Sequence, residues 1–307
     1  MHYLGVKETA EKWKISERTV RDYCTKGRVP GAILEGKTWK IPEDAKKPNR
    51  KKRAGKASGD LLTRLRQEKE AGIKGGIYHK TQIELTYNSN HIEGNRLSHD
   101  QTRYIFETNT IGILDESVNV DDILETVNHF QCVDRIIAQA NYKLTEPMIK
   151  QLHFALKSGT SDSRKNWFAV GEYKRLANEV GGKETTPPNQ VASAMKQLLK
   201  EYNYVKNREL EDIIAFHVDF ENIHPFQDGN GRVGRLIMFK ECLRNGIVPF
   251  IIGDDMKEFY YRGLHEWKNE RGYLMDTCLA AQDRFLAYME YFGLKSSCST
   301  KKYDGKS

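Results

Sequence analysis

The sequence has few cysteines and no long apolar run. Its 307 residues include five cysteines, all isolated and none in a Cys-x-x-Cys pair, so neither a disulfide framework nor a zinc site is indicated. No segment reaches the roughly 20 consecutive apolar residues that cross a bilayer, and the N-terminus lacks the apolar core of a signal peptide. We therefore expect a soluble cytoplasmic protein without a membrane partner.

The composition is that of a globular protein, with 38% hydrophobic and 30% charged residues. At roughly 150 residues per domain, the length allows about two domains. The net charge of +7 is unevenly placed, because residues 1–58 carry +9 and the remainder −2. A basic stretch rich in Lys, Arg, Pro and Gly, without large apolar residues, predicts a flexible linker over 49–60. This linker is either a solvated tether or a further source of affinity for phosphates.

Residues 1–48 have the pattern of a small winged helix-turn-helix. Apolar residues recur at helical spacing from Val6 to Trp13, and Ser16 is suited to cap a second helix that runs to about Lys26. The segment from Ala32 to Pro42 predicts a hairpin. We expect Val20 and Tyr23 to face the first helix.

This stretch resembles the MerR-like and excisionase-type helix-turn-helix. The resemblance implies a recognition helix in the major groove of DNA, on which Arg18, Thr19 and Arg21 point outward as candidate contacts. A second hypothesis is that the module docks on a protein partner or on the rest of the chain, because small helix-turn-helix folds are reused.

The remainder of the chain is mainly α, since apolar residues recur three or four apart in most segments from residue 61 onward. A Gly-rich and Thr-rich interval between Val170 and Pro188 is the exception and predicts a β-hairpin. We divide this part into N-terminal helices over 61–101, a larger helical domain over 102–295 and a disordered tail over 296–307.

One short segment, residues 223–238, carries the residue types of a phosphate site. Its glycines at a helix start let several N–H groups converge on one anion, assisted by the helix dipole. Arg232 and Arg235 would share a helix face and hold phosphate oxygens, and Asp228 is placed to bind Mg²⁺. His224 can accept a proton from a hydroxyl at neutral pH.

The same segment resembles the complete motif of Fic domains, HxFx(D/E)GNGRxxR, at every fixed position from His224 to Arg235. The resemblance implies an all-helical Fic fold with a hairpin flap, and an enzyme that transfers AMP from ATP, with Mg²⁺, to a Ser, Thr or Tyr hydroxyl. The resemblance implies that His224 is the general base, that Phe226 anchors the loop and that Asp228 binds the metal. It also implies phosphate contacts from Gly229, Asn230, Gly231, Arg232 and Arg235. The flap would pair with the main chain of the target.

A second motif lies nearer the N-terminus. Residues 89–94 resemble the family's inhibitory motif, (S/T)xxxE(G/N), through Ser89, Glu93 and Gly94. The resemblance implies that Glu93 pairs with Arg235 and withdraws it from the γ-phosphate of ATP.

Three functions are consistent with these motifs. The first is an autoinhibited protein adenylyltransferase that modifies a target protein, with self-modification as an open alternative. The second is removal of AMP from modified proteins by the same residues. The third is a DNA-binding regulator with a Fic switch domain. The sequence allows an oligomer and identifies neither the target nor the preferred nucleotide.

Overall fold

A computed structural model describes residues 2–48, 58–112 and 117–294. For residues 58–60 it describes the backbone only. The predicted tail 296–307 and most of the predicted linker 49–60 lie outside these residues. A helix begins at Ser58, so the last three residues assigned to the linker are helical.

The N-terminal residues form the predicted winged helix-turn-helix. Two helices precede a hairpin, and a short first strand completes an antiparallel sheet of order β1-β3-β2. The elements are β1 (Tyr3–Leu4), α1 (Val6–Trp13), α2 (Glu17–Thr25), β2 (Ile33–Glu35) and β3 (Thr38–Pro42). Their own apolar core includes Val20, Tyr23 and Ile41, all almost fully buried. As predicted, Val20 and Tyr23 face inward.

Helices dominate the rest of the described chain. The helices are α3 (Ser58–Glu70), α4 (Ile77–Ile92), α5 (His99–Thr108), α6 (Val120–Ala138), α7 (Glu146–Lys157), α8 (Pro188–Tyr204), α9 (Leu210–Ile223), α10 (Asn230–Arg244), α11 (Lys257–His265) and α12 (Gly272–Tyr291). Two 3₁₀ turns lie at Asp162–Arg164 and Asp254–Met256. The mainly α prediction is confirmed.

Helix α10 is the centre of the packing. It is buried along nearly its whole length and contributes Val233, Leu236 and Phe239 to a core that also receives side chains from helices α3, α4, α6 to α9 and α12. Burial on all sides explains why its apolar residues follow no single stripe. Because α10 begins at Asn230, the second half of the motif from His224 to Arg235 lies in this buried helix.

The predicted hairpin is present but short. Strands β4 (Glu179–Val180) and β5 (Lys183–Glu184) pair antiparallel across Gly181 and Gly182. Both glycines have positive φ, 58° and 74°, the conformation that a two-residue hairpin turn requires and that glycine adopts at no steric cost. The strands are exposed on both faces.

Within the described ranges, no helix has both the length and the apolar composition needed to cross a membrane.

The close approach of α11 to α12 yields a test of the packing. A Cβ at Gly263 would lie 2.7 Å from Leu274 Cα and 2.9 Å from Leu274 N, so Gly263→Ala forces the two helices apart. We expect it to lower the free energy of unfolding by about 1–3 kcal/mol, as measured by urea denaturation. The control is Gly112→Ala, whose Cβ would make ordinary contacts at 3.9 Å with Tyr104. Equal stability of the two variants would contradict the proposed close packing.

Candidate active site

The segment from His224 to Gly229 is a tight loop between α9 and α10. His224 ends α9 in the left-handed conformation, with φ 50°, and Gly229 precedes α10 with φ 80°. A non-glycine residue is strained at the second position, where its Cβ would also lie 3.3 Å from Leu156. The loop thus places the histidine and the start of α10 beside each other.

Phe226 and Asn230 hold this loop in shape. Phe226 is fully buried, and its ring stacks on His153 with centroids 4.0 Å apart. Asn230 accepts a hydrogen bond from Phe226 N and donates one to Phe226 O, both at 2.8 Å. The Asn230 side chain therefore folds the loop, and only its backbone N–H lies at the helix start where a phosphate was predicted.

His153 connects the loop to its surroundings. Its Nδ1 accepts a hydrogen bond from Gly171 N at 2.9 Å, so its Nε2 carries the proton and donates to Asp228 O at 3.1 Å. Burial lowers the pKa of His153 to about 3, which keeps the ring neutral. No sequence pattern assigned His153 to the site, because it lies some 70 residues before the loop.

His224 is itself a neutral imidazole. Burial, followed by the charge of Lys174, lowers its pKa to about 4. Its Nδ1 lies 3.9 Å from the carboxylate of Glu221, one turn earlier on α9. The side chain retains 16% of its surface exposed, so the ring remains reachable from solvent. An unprotonated, accessible imidazole is suited to accept a proton.

A cluster of charges surrounds Asp228. Lys157 Nζ lies 2.6 Å from Asp228 Oδ2, and Arg232 Nη2 lies 3.2 Å from the same oxygen. Although burial opposes ionisation, Arg232 and Lys157 hold the pKa of Asp228 well below its ordinary value. Glu125 pairs with both cations, and Asp162 contacts Lys157 at 3.1 Å. Asp228 is therefore ionised and held in a fixed orientation.

These residues suit Mg²⁺ that is bound together with a phosphorylated ligand. The described residues contain no group of three His, Cys, Asp or Glu arranged to hold a metal, so they offer no all-protein cage. Mg²⁺ commonly uses one or two carboxylates and completes its shell with water and phosphate oxygens. Asp228 has 49% of its side chain exposed and can offer such a carboxylate.

Arg235 is held by the predicted inhibitory motif. Its Nη2 lies 2.7 Å from Glu93 Oε1 and donates to Ser89 O at 2.8 Å, while its Nε donates to Ser89 Oγ at 3.0 Å. The predicted ion pair between Glu93 and Arg235 is confirmed. Both motif residues lie at the end of α4, and Gly94 follows with φ 94°, which turns the chain away from the site.

Glu93 also lies against the start of α10. A Cβ added at Gly231 would clash with Glu93 Oε1. The N–H groups of the first helical turn lack intrahelical acceptors and attract anions. The Glu93 carboxylate thus approaches the positive end of α10, where a phosphate group was predicted to bind.

The predicted flap, which contains strands β4 and β5, is hydrogen-bonded to this loop through residues 174–178, just before β4. Lys174 N donates to Pro225 O at 2.8 Å, Leu176 N to Gln227 Oε1 at 3.2 Å, and Asn178 Nδ2 to Phe226 O at 3.2 Å. The short strands beyond this base project their free edge outward. The flap is therefore positioned by the same loop that carries His224.

The residues predicted to contact DNA have different environments. Arg18 reaches Asp255 of the helical domain at 3.3 Å, and Arg21 pairs with Glu17 at 2.7 Å on the exposed side of α2. The prediction that Thr19 points outward is wrong. Thr19 is 3% exposed and lies at the first turn of α2, where its N–H donates to the Ser16 cap and its hydroxyl contacts Ser16 Oγ at 2.8 Å.

The two adjacent tyrosines of α11, Tyr260 and Tyr261, have different environments. Tyr260 is buried, and its hydroxyl lies 2.5 Å from Nε2 of His217, which is also buried. Both therefore belong to the core. Tyr261 is half-exposed and its hydroxyl donates to Ile92 O at 3.3 Å.

The site thus combines the start of a helix with a neutral histidine and an ionised aspartate, an arrangement suited to bind a phosphate group. Residues 143–242 match the Fic/DOC family, and residues 3–45 match a helix-turn-helix domain. The chain therefore contains a Fic domain behind an N-terminal helix-turn-helix domain.

Related proteins carry names that agree with this assignment. The chain is 29% identical over 205 residues to the protein adenylyltransferase Fic of Drosophila grimshawi, covering 65% of this chain and 39% of that protein. It is 26% identical over 198 residues to a probable protein adenylyltransferase of Aquifex aeolicus, covering 60% and 59%. The chain thus spans less than two thirds of either relative.

Solved structures share the fold. A Fic-domain-containing signalling protein of Bacteroides thetaiotaomicron superimposes with a TM-score of 0.55 at 25% identity, covering 77% of this chain and 91% of that one. A Fic family protein of Desulfovibrio desulfuricans superimposes with a TM-score of 0.58 at 21% identity, covering 78% and 76%.

Lys157 is the residue whose removal should most disturb the charge cluster. Lys157→Met removes a buried cation that pairs with three carboxylates and leaves Arg232 paired with Glu125 and Asp228. We expect a loss of about 3 kcal/mol in the free energy of unfolding at neutral pH. The pKa values of Asp162 and Asp228 are lowered in the folded protein, so this stabilisation is present above pH 3.8 and fades as the pH falls below it. Urea denaturation at several pH values measures both effects.

The matched control is Lys165→Met. Lys165 also contacts Asp162, at 2.6 Å, but is 45% exposed, so its replacement should change stability by only about 0.5 kcal/mol. A pH-independent loss in Lys157→Met, or equal losses in both variants, would show that the cluster is not held by Lys157.

Proposed function

We propose that this chain is an autoinhibited, Mg²⁺-dependent protein adenylyltransferase that uses ATP. The observation that carries the proposal is the juxtaposition of a neutral His224 with the start of α10, where Glu93 already lies against the anion-binding turn. The names of the relatives support the same activity.

His224 is assigned the role of general base. The target hydroxyl loses its proton to the imidazole while its oxygen forms a bond to the α-phosphorus of ATP. The bond from that phosphorus to the bridging oxygen breaks, and pyrophosphate leaves. A positioned base of this kind contributes about 10²–10⁴-fold to a rate.

The start of α10 is assigned to the phosphates. The backbone N–H groups of residues 229–231 face the negative charge that grows on the leaving group, and they need no reorganisation because Asn230 and Phe226 already fix the loop. Arg232 and Arg235, one turn apart on α10, are assigned to the phosphate oxygens. Asp228 would hold Mg²⁺, which neutralises phosphate charge when bound.

Inhibition is assigned to the contact of Glu93 with Arg235. A guanidinium that already satisfies one carboxylate and two serine oxygens has less capacity to bind a phosphate. The carboxylate also repels a phosphate at the helix start. We therefore expect a low basal activity of the wild-type protein.

The proposed target is a protein segment in an extended conformation that binds beside the flap. The flap presents short strands with free edges beside His224, and main-chain pairing to such an edge would position a Ser, Thr or Tyr hydroxyl with little side-chain readout. A segment of this chain itself satisfies the same requirement, so self-modification belongs to the proposal.

The first test is intact mass spectrometry of purified variants incubated with ATP and Mg²⁺. We expect Glu93→Gly to raise the rate of AMP addition about tenfold to a hundredfold, because it removes a charge-assisted hydrogen bond to Arg235. Adding His224→Ala to that variant should lower the rate at least about a hundredfold.

The control for Glu93→Gly is Glu70→Gly, which removes an exposed glutamate from the end of α3 and should leave the rate unchanged. Equal activity in Glu93→Gly and in its His224→Ala derivative would contradict the assigned base. Hydrolytic loss of AMP from a pre-modified protein incubated with the wild type, without any addition, would identify removal of AMP as the function.

The second test is the pH dependence of the activated variant. His224 must be unprotonated to act as a base, and its pKa of about 4 lies below the ordinary 6.5. We expect the rate of Glu93→Gly to stay level as the pH falls from about 8 to about 5.5, and to fall by half near pH 4. The initial rate of AMP addition, measured after confirming by circular dichroism that the protein is folded, gives this profile. A half-maximal rate near pH 6.5 would show that the base is a histidine in an ordinary environment.

A further inference from the structure

The N-terminal domain rests on the helical domain through ion pairs. Arg18 of α2 lies 3.3 Å from Asp255, and Lys26, just after α2, lies 4.0 Å from Asp283 of α12. Lys47, five residues after the end of β3, lies 3.1 Å from Asp276, which is also on α12. Three cations of one domain therefore meet three carboxylates of the other, which we call the acidic face: Asp255, Asp276 and Asp283.

The contact is electrostatic in character. The apolar core of the N-terminal domain consists only of residues from that domain, and the larger cores contain none of them. Arg18 and Asp255 are 61% and 59% exposed. Ion pairs between such exposed groups are individually weak and are screened by salt.

The acidic face is itself held in place. Arg284 donates to both carboxylate oxygens of Asp255, at 2.7 and 2.6 Å, which fixes the orientation of that carboxylate toward α2. Asp276 is largely buried, with 11% of its side chain exposed. The carboxylates thus form an ordered array rather than a mobile surface charge.

This array faces the helix that corresponds to the recognition helix of a helix-turn-helix. Arg18 and Lys26 lie on the same side of α2, two turns apart, and both are the type of residue that contacts DNA phosphates. In the observed arrangement, carboxylates take the place of phosphate oxygens on these cations.

We propose that the acidic face competes with the phosphate backbone of duplex DNA for Arg18, Lys26 and Lys47, so that the N-terminal domain engages either the helical domain or DNA. A duplex is the partner that the surface fits, because it offers a denser array of negative charge than three carboxylates. This competition is independent of whether the Fic domain transfers AMP.

The test compares full-length proteins for binding to a mixed-sequence DNA duplex by fluorescence anisotropy over a range of salt concentrations. In the variant Asp255→Asn, Asp276→Asn, Asp283→Asn, we expect binding about three- to tenfold tighter than wild type. The plot of log affinity against log salt should also become steeper by about 0.9 for each cation released to a phosphate.

A charge-matched control carries Asp100→Asn, Glu146→Gln and Glu201→Gln, which remove three acidic charges from parts of the helical domain that do not contact the N-terminal domain. Its affinity should change less than that of the acidic-face variant, and its salt slope should match wild type. Thermal unfolding of each protein establishes that all are folded.

Adding Arg18→Ala to the acidic-face variant should remove about half or more of the gain. Equal affinity of the acidic-face and control variants would overturn the proposal. The absence of salt-sensitive DNA binding in all the proteins would overturn it as well, and would identify the N-terminal domain as a docking module for the helical domain. Neither result bears on AMP transfer, which the mass-spectrometric assay measures without DNA.

Discussion

The burial of Arg235 is the constraint on which the site depends. A guanidinium with 4% of its side chain exposed requires compensating acceptors, since an unpaired buried charge costs several kcal/mol. Ser89 and Glu93 provide them from α4, a helix about 140 positions earlier in the chain. Arg235 therefore also ties the end of α4 to α10.

The loop from His224 to Gly229 is shaped by uncharged contacts. Asn230 closes the loop by pairing with both backbone groups of Phe226, and the stacking of Phe226 on His153 fixes its depth. Charged residues are arranged around this neutral framework, with Lys157 and Glu125 on the side of Asp228. This division lets the ionic contacts rearrange around ligands while the loop keeps its geometry.

The sequence predicted the elements that depend on neighbouring residues, and one long-range ion pair that two recognisable motifs indicated. The helix that starts at Asn230 and the β-hairpin follow from local patterns, and the pairing of Glu93 with Arg235 followed from two recognisable motifs. Lys157, Glu125 and His153 were missed because each is an ordinary helical residue until folding brings α6 and α7 to the loop. Thr19 was misplaced because helical spacing alone did not show that a residue beside the Ser16 cap turns inward.

Helix α4 is buried over most of its surface, from Ile77 to Ile92, and only its last turn presents Glu93 to the site. The helix cannot move as a rigid body without exposing its apolar contacts, which would require large-scale unfolding. The ion pair between Glu93 and Arg235 can therefore break by rotation of the Glu93 side chain alone, while Ser89 keeps its hydrogen bonds to Arg235. Rotations of that size occur far faster than domain rearrangements, so the contact that we propose to be inhibitory is suited to a rapid equilibrium between two positions of the Glu93 side chain.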